Sequence, residues 1–447
     1  MYDLIVIGAG PGGYEAAIHA GKMKKKVILF DKKYIGGTCL NVGCIPTKTL
    51  LKSAHVYHDC KESGLYGITT SAPKFNMAKV QARKKKVITT LTQGVEGMLK
   101  RSKVKVVKAA ATIIDKGIVE AEGKTYKASN ILIATGSAPA VPPIKGIDSK
   151  GILDSTSALG LTKIPTSLVI IGGGVIGLEF ASLFSDLGTK VTIVEMLPNI
   201  APGIDTDVTS HLKEGLEKKK VKFNLGCAVQ EVKNKTVNFK DKNGTKRSVK
   251  GEYILNATGR RPVTEGLGLE NIGVNTNRGN ITTSDEGKTN IPGIWACGDV
   301  TGRCLLAHAA TAEGLVAVNN MFGTPTTMRY EAIPSVIYTN PEVACVGKTE
   351  AQCKDEEIEY TVSALPMAVA GRFTVENEGK FGMVKVLVGK AYGQLLGVHM
   401  IGSHCSEILQ GAVTMIECEM RVKDVKDIVF PHPTVSEALK EACIHAG

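Results

Sequence analysis

The segment Leu4-Ile5-Val6-Ile7-Gly8-Ala9-Gly10-Pro11-Gly12-Gly13 limits how this chain can fold more than any other stretch of it. A short apolar run that breaks directly into glycines reads as a buried parallel strand turning straight into a helix. The helix is expected over Tyr14 to Ala20, and Val27-Ile28-Leu29-Phe30-Asp31 follows as a second strand ending on an acid. The result is a βαβ unit with Gly8, Gly10 and Gly13 at the GxGxxG positions, Gly12 in the same turn, and Asp31 23 residues after the first glycine. Glycines there let the backbone approach a pyrophosphate, the helix N-terminus stabilises its charge, and the carboxylate accepts ribose hydroxyls.

The same device occurs twice. Leu168-Val169-Ile170-Ile171 leads into Gly172-Gly173-Gly174-Val175-Ile176-Gly177, then a helical run to Gly188, then Val191-Thr192-Ile193-Val194-Glu195. Gly172 and Glu195 are again 23 residues apart. Ile131-Leu132-Ile133-Ala134-Thr135-Gly136 likewise matches Ile254-Leu255-Asn256-Ala257-Thr258-Gly259, each an apolar strand ending in Ala-Thr-Gly. This is the pattern of a duplicated nucleotide-binding module.

Between the first module's acid and its later strands lies Gly36-Gly37-Thr38-Cys39-Leu40-Asn41-Val42-Gly43-Cys44-Ile45-Pro46-Thr47-Lys48. Cys39 and Cys44 can bond only if their Cα atoms come within about 7 Å. One turn of helix brings residues at that spacing to the same face, and a nearby helix N-terminus favours thiolate. Taken alone, CxxxxC is more often two buried cysteines. Beside two dinucleotide loops it reads as a sulfur couple served by two cofactors.

At 447 residues the chain is expected to form about three domains. It has no run of about 18 uncharged apolar residues, so no membrane span is expected. The first strand begins at Asp3 or Leu4, which leaves no room for a targeting segment unless one was removed. Eleven cysteines without a framework spacing point to a reducing compartment, the cytoplasm or an organelle matrix. Net charge is +12, but the clusters Lys22/Lys24/Lys25/Lys26, Arg83/Lys84/Lys85/Lys86 and Lys218/Lys219/Lys220 lack interleaved aromatics. They read as solvated faces rather than a nucleic-acid site, with attraction of an acidic partner as the other use. No histidine or cysteine spacing suggests a metal.

The landmarks predict an α/β chain: two Rossmann-like domains plus a C-terminal α+β domain. The expected segments are 1–149, 150–262, 263–325 and 326–447, with the strand Ile294-Trp295-Ala296 returning to the first domain.

These motifs resemble the pyridine nucleotide–disulfide oxidoreductase family end to end, and most closely its dihydrolipoamide-oxidising branch. The resemblance rests on Gly37 to Pro46, Gly298-Asp299-Val300, Leu306-Ala307-His308, Pro334 to Tyr338 and His432-Pro433-Thr434-Val435-Ser436-Glu437. It implies FAD on the first module, with Gly8, Gly10, Gly12, Gly13, Asp31, Lys32, Gly37, Thr38 and Lys48 around it. Thr135, Gly136, Ser137, Asp299, Leu305, Leu306, Ala307 and His308 would line the same cofactor. NAD would take Gly172, Gly174, Val175, Ile176, Gly177, Glu195, Val229 and Gly259. Lys48 would approach the flavin, paired with Glu179. The family's C-terminal domain makes a homodimer, and its partners are lipoyl domains of 2-oxo acid dehydrogenase or glycine cleavage complexes.

His432 is the expected acid–base, because His-Pro-Thr places it rigidly and Glu437 can orient it. An ordinary imidazole exchanges protons near neutral pH. The implied reaction oxidises dihydrolipoamide at a Cys39–Cys44 disulfide and passes the electrons to NAD. The alternative is an NADPH-dependent reductase of a small disulfide such as glutathione. A 2′-phosphate wants arginines where this chain has Met196-Leu197-Pro198-Asn199 after a repelling Glu195. Mercuric reductase is disfavoured by a lone Cys443, and a non-catalytic scaffold by the intact cysteines and loops. Phe430 stands where relatives carry a second histidine, and Ala309 and Thr311 replace charged residues.

Overall fold

Strand β1 (Tyr2–Ile7) has Leu4, Ile5 and Val6 wholly buried because both faces of its sheet are covered. Alternate residues feed opposite cores. Ile5 and Ile7 join Ile28 and Phe30 on one side, while Leu4 and Val6 join Val27 and Leu29 on the other. The computed structural model describes residues 1–447 and divides into two compact units. One comprises 1–49, 78–140 and 259–329, the other 50–77, 141–258 and 330–447.

In the first unit β1 pairs in parallel with β2 (Val27–Phe30) and with Lys124–Ile133. Lys105–Val107 adds beyond β2, and Ile294–Ala296 joins the far side of Lys124–Ile133, also in parallel. The late strand therefore returns to the first sheet, as its sequence suggests. Helix α1 (Pro11–Lys22) and the helix Ala307–Phe322 cover one face.

The second unit repeats the plan. Its parallel sheet runs Lys222–Asn224, Lys190–Val194, Ser167–Ile171, Tyr253–Asn256, Ile152–Leu153; the first four strands follow the order of the first sheet, while the edge strand here precedes the glycine loop in the chain. A separate five-stranded antiparallel sheet, from Ser335–Ile337 to Leu395–Gly402, carries Cys405–Glu417 and Glu437–Ala446. Leu409, Ala412, Leu439 and Ala442 from those helices share a core with Val384, Val386, Val398 and Met400. No helix is long and apolar enough to cross a membrane.

One expectation needs correcting. The two cysteines do not share a helical turn: Cys39 lies in α2 (Gly37–Val42) and Cys44 opens α3 (Cys44–Glu62). Gly43 breaks the path between them, with φ −144° and ψ −113°. A Cβ at Gly43 would stand 2.9 Å from the Thr38 carbonyl oxygen, so the sharp corner needs glycine.

Candidate active site

The two glycine loops are built alike. Gly8 has φ +107° and Gly172 φ +111°, and a Cβ on either would collide with a backbone carbonyl, of Ala134 at 2.3 Å or of Ala257 at 2.4 Å. Gly13 and Gly177 let the first helical turn pack on the strand end; a Cβ would lie 1.9 Å and 2.2 Å from the oxygens of Gly8 and Gly172. Gly10 and Gly174, by contrast, face open space, and each caps a helix N-terminus. A bare, positively polarised helix start with room above it is what a pyrophosphate requires, so both loops fit a dinucleotide. Gly12 has a different surrounding: it is buried against Ala310 of Ala307–Phe322.

The acids hold the loops in matching ways. Asp31 Oδ2 accepts the Ala9 N–H at 2.8 Å, and Glu195 Oε2 accepts the Gly173 N–H at 2.5 Å. The second oxygen takes the N–H two residues on, Lys33 at 2.7 Å and Leu197 at 2.7 Å. The following segment then returns to the loop, with Gly36 N–H donating to Ala9 O and Ala201 N–H to Gly173 O, both at 2.9 Å. Lys32 and Thr38 are exposed beside the first loop, and Val175 and Ile176 begin the second loop's helix. Val229 lies half-buried on the strand Ala228–Lys233.

Cys39 and Cys44 are free thiols that hydrogen-bond to one another. That bond first, then burial, pushes the Cys39 thiol far above its ordinary value, and Lys48 opposes the shift. Cys39 therefore holds a proton toward Cys44. Cys44 occupies the first position of a 19-residue helix, where the dipole stabilises a thiolate. The pair is set up as one donor and one incipient anion, with Lys48 one turn further along the same helix.

Asp299 sits in a polar network that sequence reading did not find. Ser137 Oγ donates to Asp299 Oδ2, while Arg260 Nε donates to Ser137 Oγ at 2.7 Å and lies 3.7 Å from the same carboxylate. Arg260 belongs to a short strand pairing with Ser137–Pro139, so topology rather than sequence proximity unites the three. Glu313, buried in Ala307–Phe322, accepts the Gly298 N–H at 2.6 Å and fixes the turn bearing Asp299. Thr135 Oγ1 donates to Val263 O at 2.6 Å, Gly136 turns with φ +68°, and Gly259 with φ +127°. Leu305 and His308 are exposed, with Leu306 and Ala307 half-buried, at the start of that helix.

In the second unit His432 Nδ1 lies 2.9 Å from Glu437 Oε1, and Glu437 Oε2 accepts the Thr434 N–H at 2.9 Å. These bonds, the backbone one first, hold the Glu437 carboxyl below the usual carboxylate range. An ionised Glu437 only accepts, so Nδ1 carries the proton and Nε2 is the basic nitrogen. The imidazole itself is 78% exposed, free to meet a substrate. Glu179 is buried on Val175–Asp186 and accepts the Tyr338 N–H at 3.0 Å. No cluster of His, Cys, Asp or Glu is arranged to hold a metal.

Residues 2–314 match the family described as pyridine nucleotide-disulphide oxidoreductase, and 333–443 match that family's dimerisation domain. The chain belongs to this family. It is 39% identical to a mitochondrial dihydrolipoyl dehydrogenase of Dictyostelium discoideum, over 99% of this chain and 94% of that one. It is also 39% identical to dihydrolipoyl dehydrogenase of Geobacillus stearothermophilus, over 98% and 95%. Among solved structures, LpdA from Mycobacterium tuberculosis superposes with TM-score 0.91 at 26% identity, covering 99% of both chains. The flavoprotein disulfide reductase RclA of Escherichia coli gives 0.87 at 28% identity, again over 99% of each. Family membership makes the chain an oxidoreductase with two dinucleotide-binding modules and a dimerisation domain.

Proposed function

We propose that the protein is a dihydrolipoyl dehydrogenase: it oxidises dihydrolipoamide on lipoyl domains and delivers the electrons to NAD⁺. The observation that carries this reading is the Cys39–Cys44 contact across the Gly43 corner, with Cys44 at a helix N-terminus. Such a pair opens and closes without rearranging the fold. FAD would lie on the first loop with Asp31 toward its ribose and Asp299 toward its ribityl chain; when bound it supplies the two-electron link to NAD. The segments 1–149 and 263–325 would serve FAD, 150–262 NAD, and 326–447 the homodimer.

The protein's own steps are these. A substrate thiol gives its proton to Nε2 of His432, contributed by the partner subunit as in the resembling enzymes so that activity requires the homodimer, and Glu437 stabilises the imidazolium that forms. The thiolate attacks Cys39 Sγ of the oxidised pair; the Cys39–Cys44 bond breaks and Cys44 leaves as a thiolate. The second substrate thiol attacks the substrate sulfur of the mixed disulfide, and its proton passes to the departing Cys39 Sγ while His432 keeps the first. That closes lipoamide and releases Cys39 as the thiol seen here. One substrate dithiol is oxidised and one protein disulfide reduced.

Glu195, a carboxylate held at the second glycine loop by the Gly173 and Leu197 N–H groups, would repel a 2′-phosphate and supports NAD over NADP. The test compares lipoamide, glutathione disulfide and mercuric ion as acceptors from NADH and from NADPH. Lipoamide with NADH is the expected pair; preference for glutathione disulfide with NADPH overturns the reading.

A further inference from the structure

Lys385 stands in the middle of the strand Met383–Gly389, every residue of which is buried, and is itself 1% exposed. An ammonium held there without partners would carry an uncompensated desolvation penalty. Three carboxylates meet it: Asp205 at 3.0 and 3.1 Å, Asp207 at 2.7 Å and Glu350 at 2.5 Å. Burial on its own would lower the lysine's affinity for its proton, but the bonds to Asp207, Glu350 and Asp205 outweigh it and keep the charge. Glu350 has a further partner in the Tyr360 hydroxyl at 2.8 Å.

The carboxylates do not enter from equivalent places. Glu350 belongs to the short helix Glu350–Asp355 beside the same antiparallel sheet. Asp205 instead ends the segment that starts at Glu195 and caps the helix Thr206–Lys218. That segment grips Gly173 of the dinucleotide loop from both sides, through Glu195 Oε2 and through Ala201 N–H. Ala201 does so with φ 46°, a left-handed conformation unfavourable for alanine and held only if both flanks are fixed. In the first module the equivalent segment runs directly into the dithiol helix α2.

We propose that Lys385 is a positioning residue for nicotinamide cofactor binding: through Asp205 it fixes the segment 195–205, and through that segment the Gly173 loop and the Glu195 carboxylate. The antiparallel sheet of the dimerisation domain thereby sets the affinity of the NAD module. This rests on the proposed use of the second module for NAD but not on the identity of the disulfide substrate.

The test pairs two isosteric variants of the FAD-loaded protein. Asp205→Asn removes the charge that answers Lys385 yet still caps a helix, since Asn and Asp are comparable N-caps. Glu350→Gln breaks a bond to the same lysine from outside the segment. NADH binding is measured by calorimetry, hydrogen exchange is followed over residues 196–204, and NADH-driven dye reduction gives KM and kcat. Asp205→Asn is expected to weaken NADH binding and raise KM roughly tenfold, with faster exchange and kcat within about twofold of wild type. Glu350→Gln is expected to leave binding within about twofold. Unchanged NADH binding in Asp205→Asn, or equal weakening in both variants, overturns the proposal. Failure of wild type to reduce lipoamide would instead count against the substrate assignment, because dye reduction does not use it.

Discussion

His432 Nδ1 and Glu437 Oε1, 2.9 Å apart, form a charge-assisted pair that leaves Nε2 as the exposed basic nitrogen. Replacing His432 by Gln removes the proton acceptor for the incoming thiol. Dihydrolipoamide oxidation is expected to fall by about 10²–10⁴-fold, while NADH-to-dye transfer stays near wild type. Steady-state rates with both acceptors check this.

The same pair sets an acid limit on local structure. Glu437 is held below the ordinary carboxylate range in the folded state, by the Thr434 N–H and then by His432. Its contribution is therefore present above the unfolded carboxylate value and is lost as pH falls through the depressed folded value. Protection of the Thr434 amide, taken relative to its intrinsic exchange rate at each pH, is expected to fall across that acid window in wild type. Glu437→Gln should abolish the pH dependence of that protection; a dependence that persists removes Glu437 as its source.

Cys44→Ser leaves Cys39 without a bonding partner. Lipoamide-dependent turnover is expected to vanish and dye reduction to persist, because the glycine loops are untouched. An unchanged lipoamide rate contradicts the dithiol step.

The two loops separate by substitution. Gly13→Ala puts a methyl 1.9 Å from Gly8 O, and Gly177→Ala one at 2.2 Å from Gly172 O. The first variant is expected to purify colourless. The second should stay yellow yet lose NADH reduction, as visible absorbance and anaerobic bleaching would record.

Glu195→Ala with Met196→Arg exchanges a repelling carboxylate for a cation at a residue already 70% exposed. The kcat/KM ratio of NADPH to NADH is expected to rise by about tenfold or more, equivalent to some 1.4 kcal/mol. An unaltered ratio removes Glu195 from cofactor choice.

Both parallel sheets were legible in the sequence because each is a local repeat: strand, glycine turn, helix and acid lie within 31 residues of the N-terminus and recur from Leu168. The cysteine pair was legible as chemistry but not as geometry. A helical spacing argument put Cys39 and Cys44 on one turn, whereas the steric demand at Gly43 splits them between α2 and α3. Arg260 carries no local signal of its role, since nothing near it in the sequence indicates that its strand pairs with Ser137–Pro139. Lys385 was invisible for the same reason. A lysine in a strand reads as an outward-facing charge until its carboxylates, nearly two hundred residues upstream in the case of Asp205, are brought to it.

Differential alkylation under anaerobic conditions reads out whether Cys39 and Cys44 cycle between disulfide and dithiol. The FAD-loaded protein is quenched in denaturing acid before and after stoichiometric NADH, then labelled with a maleimide, and the peptide containing Cys39 and Cys44 is analysed by mass. The expected result is no label on either cysteine before NADH and label on both after. Labelling that NADH does not change would contradict a redox couple between these two sulfurs.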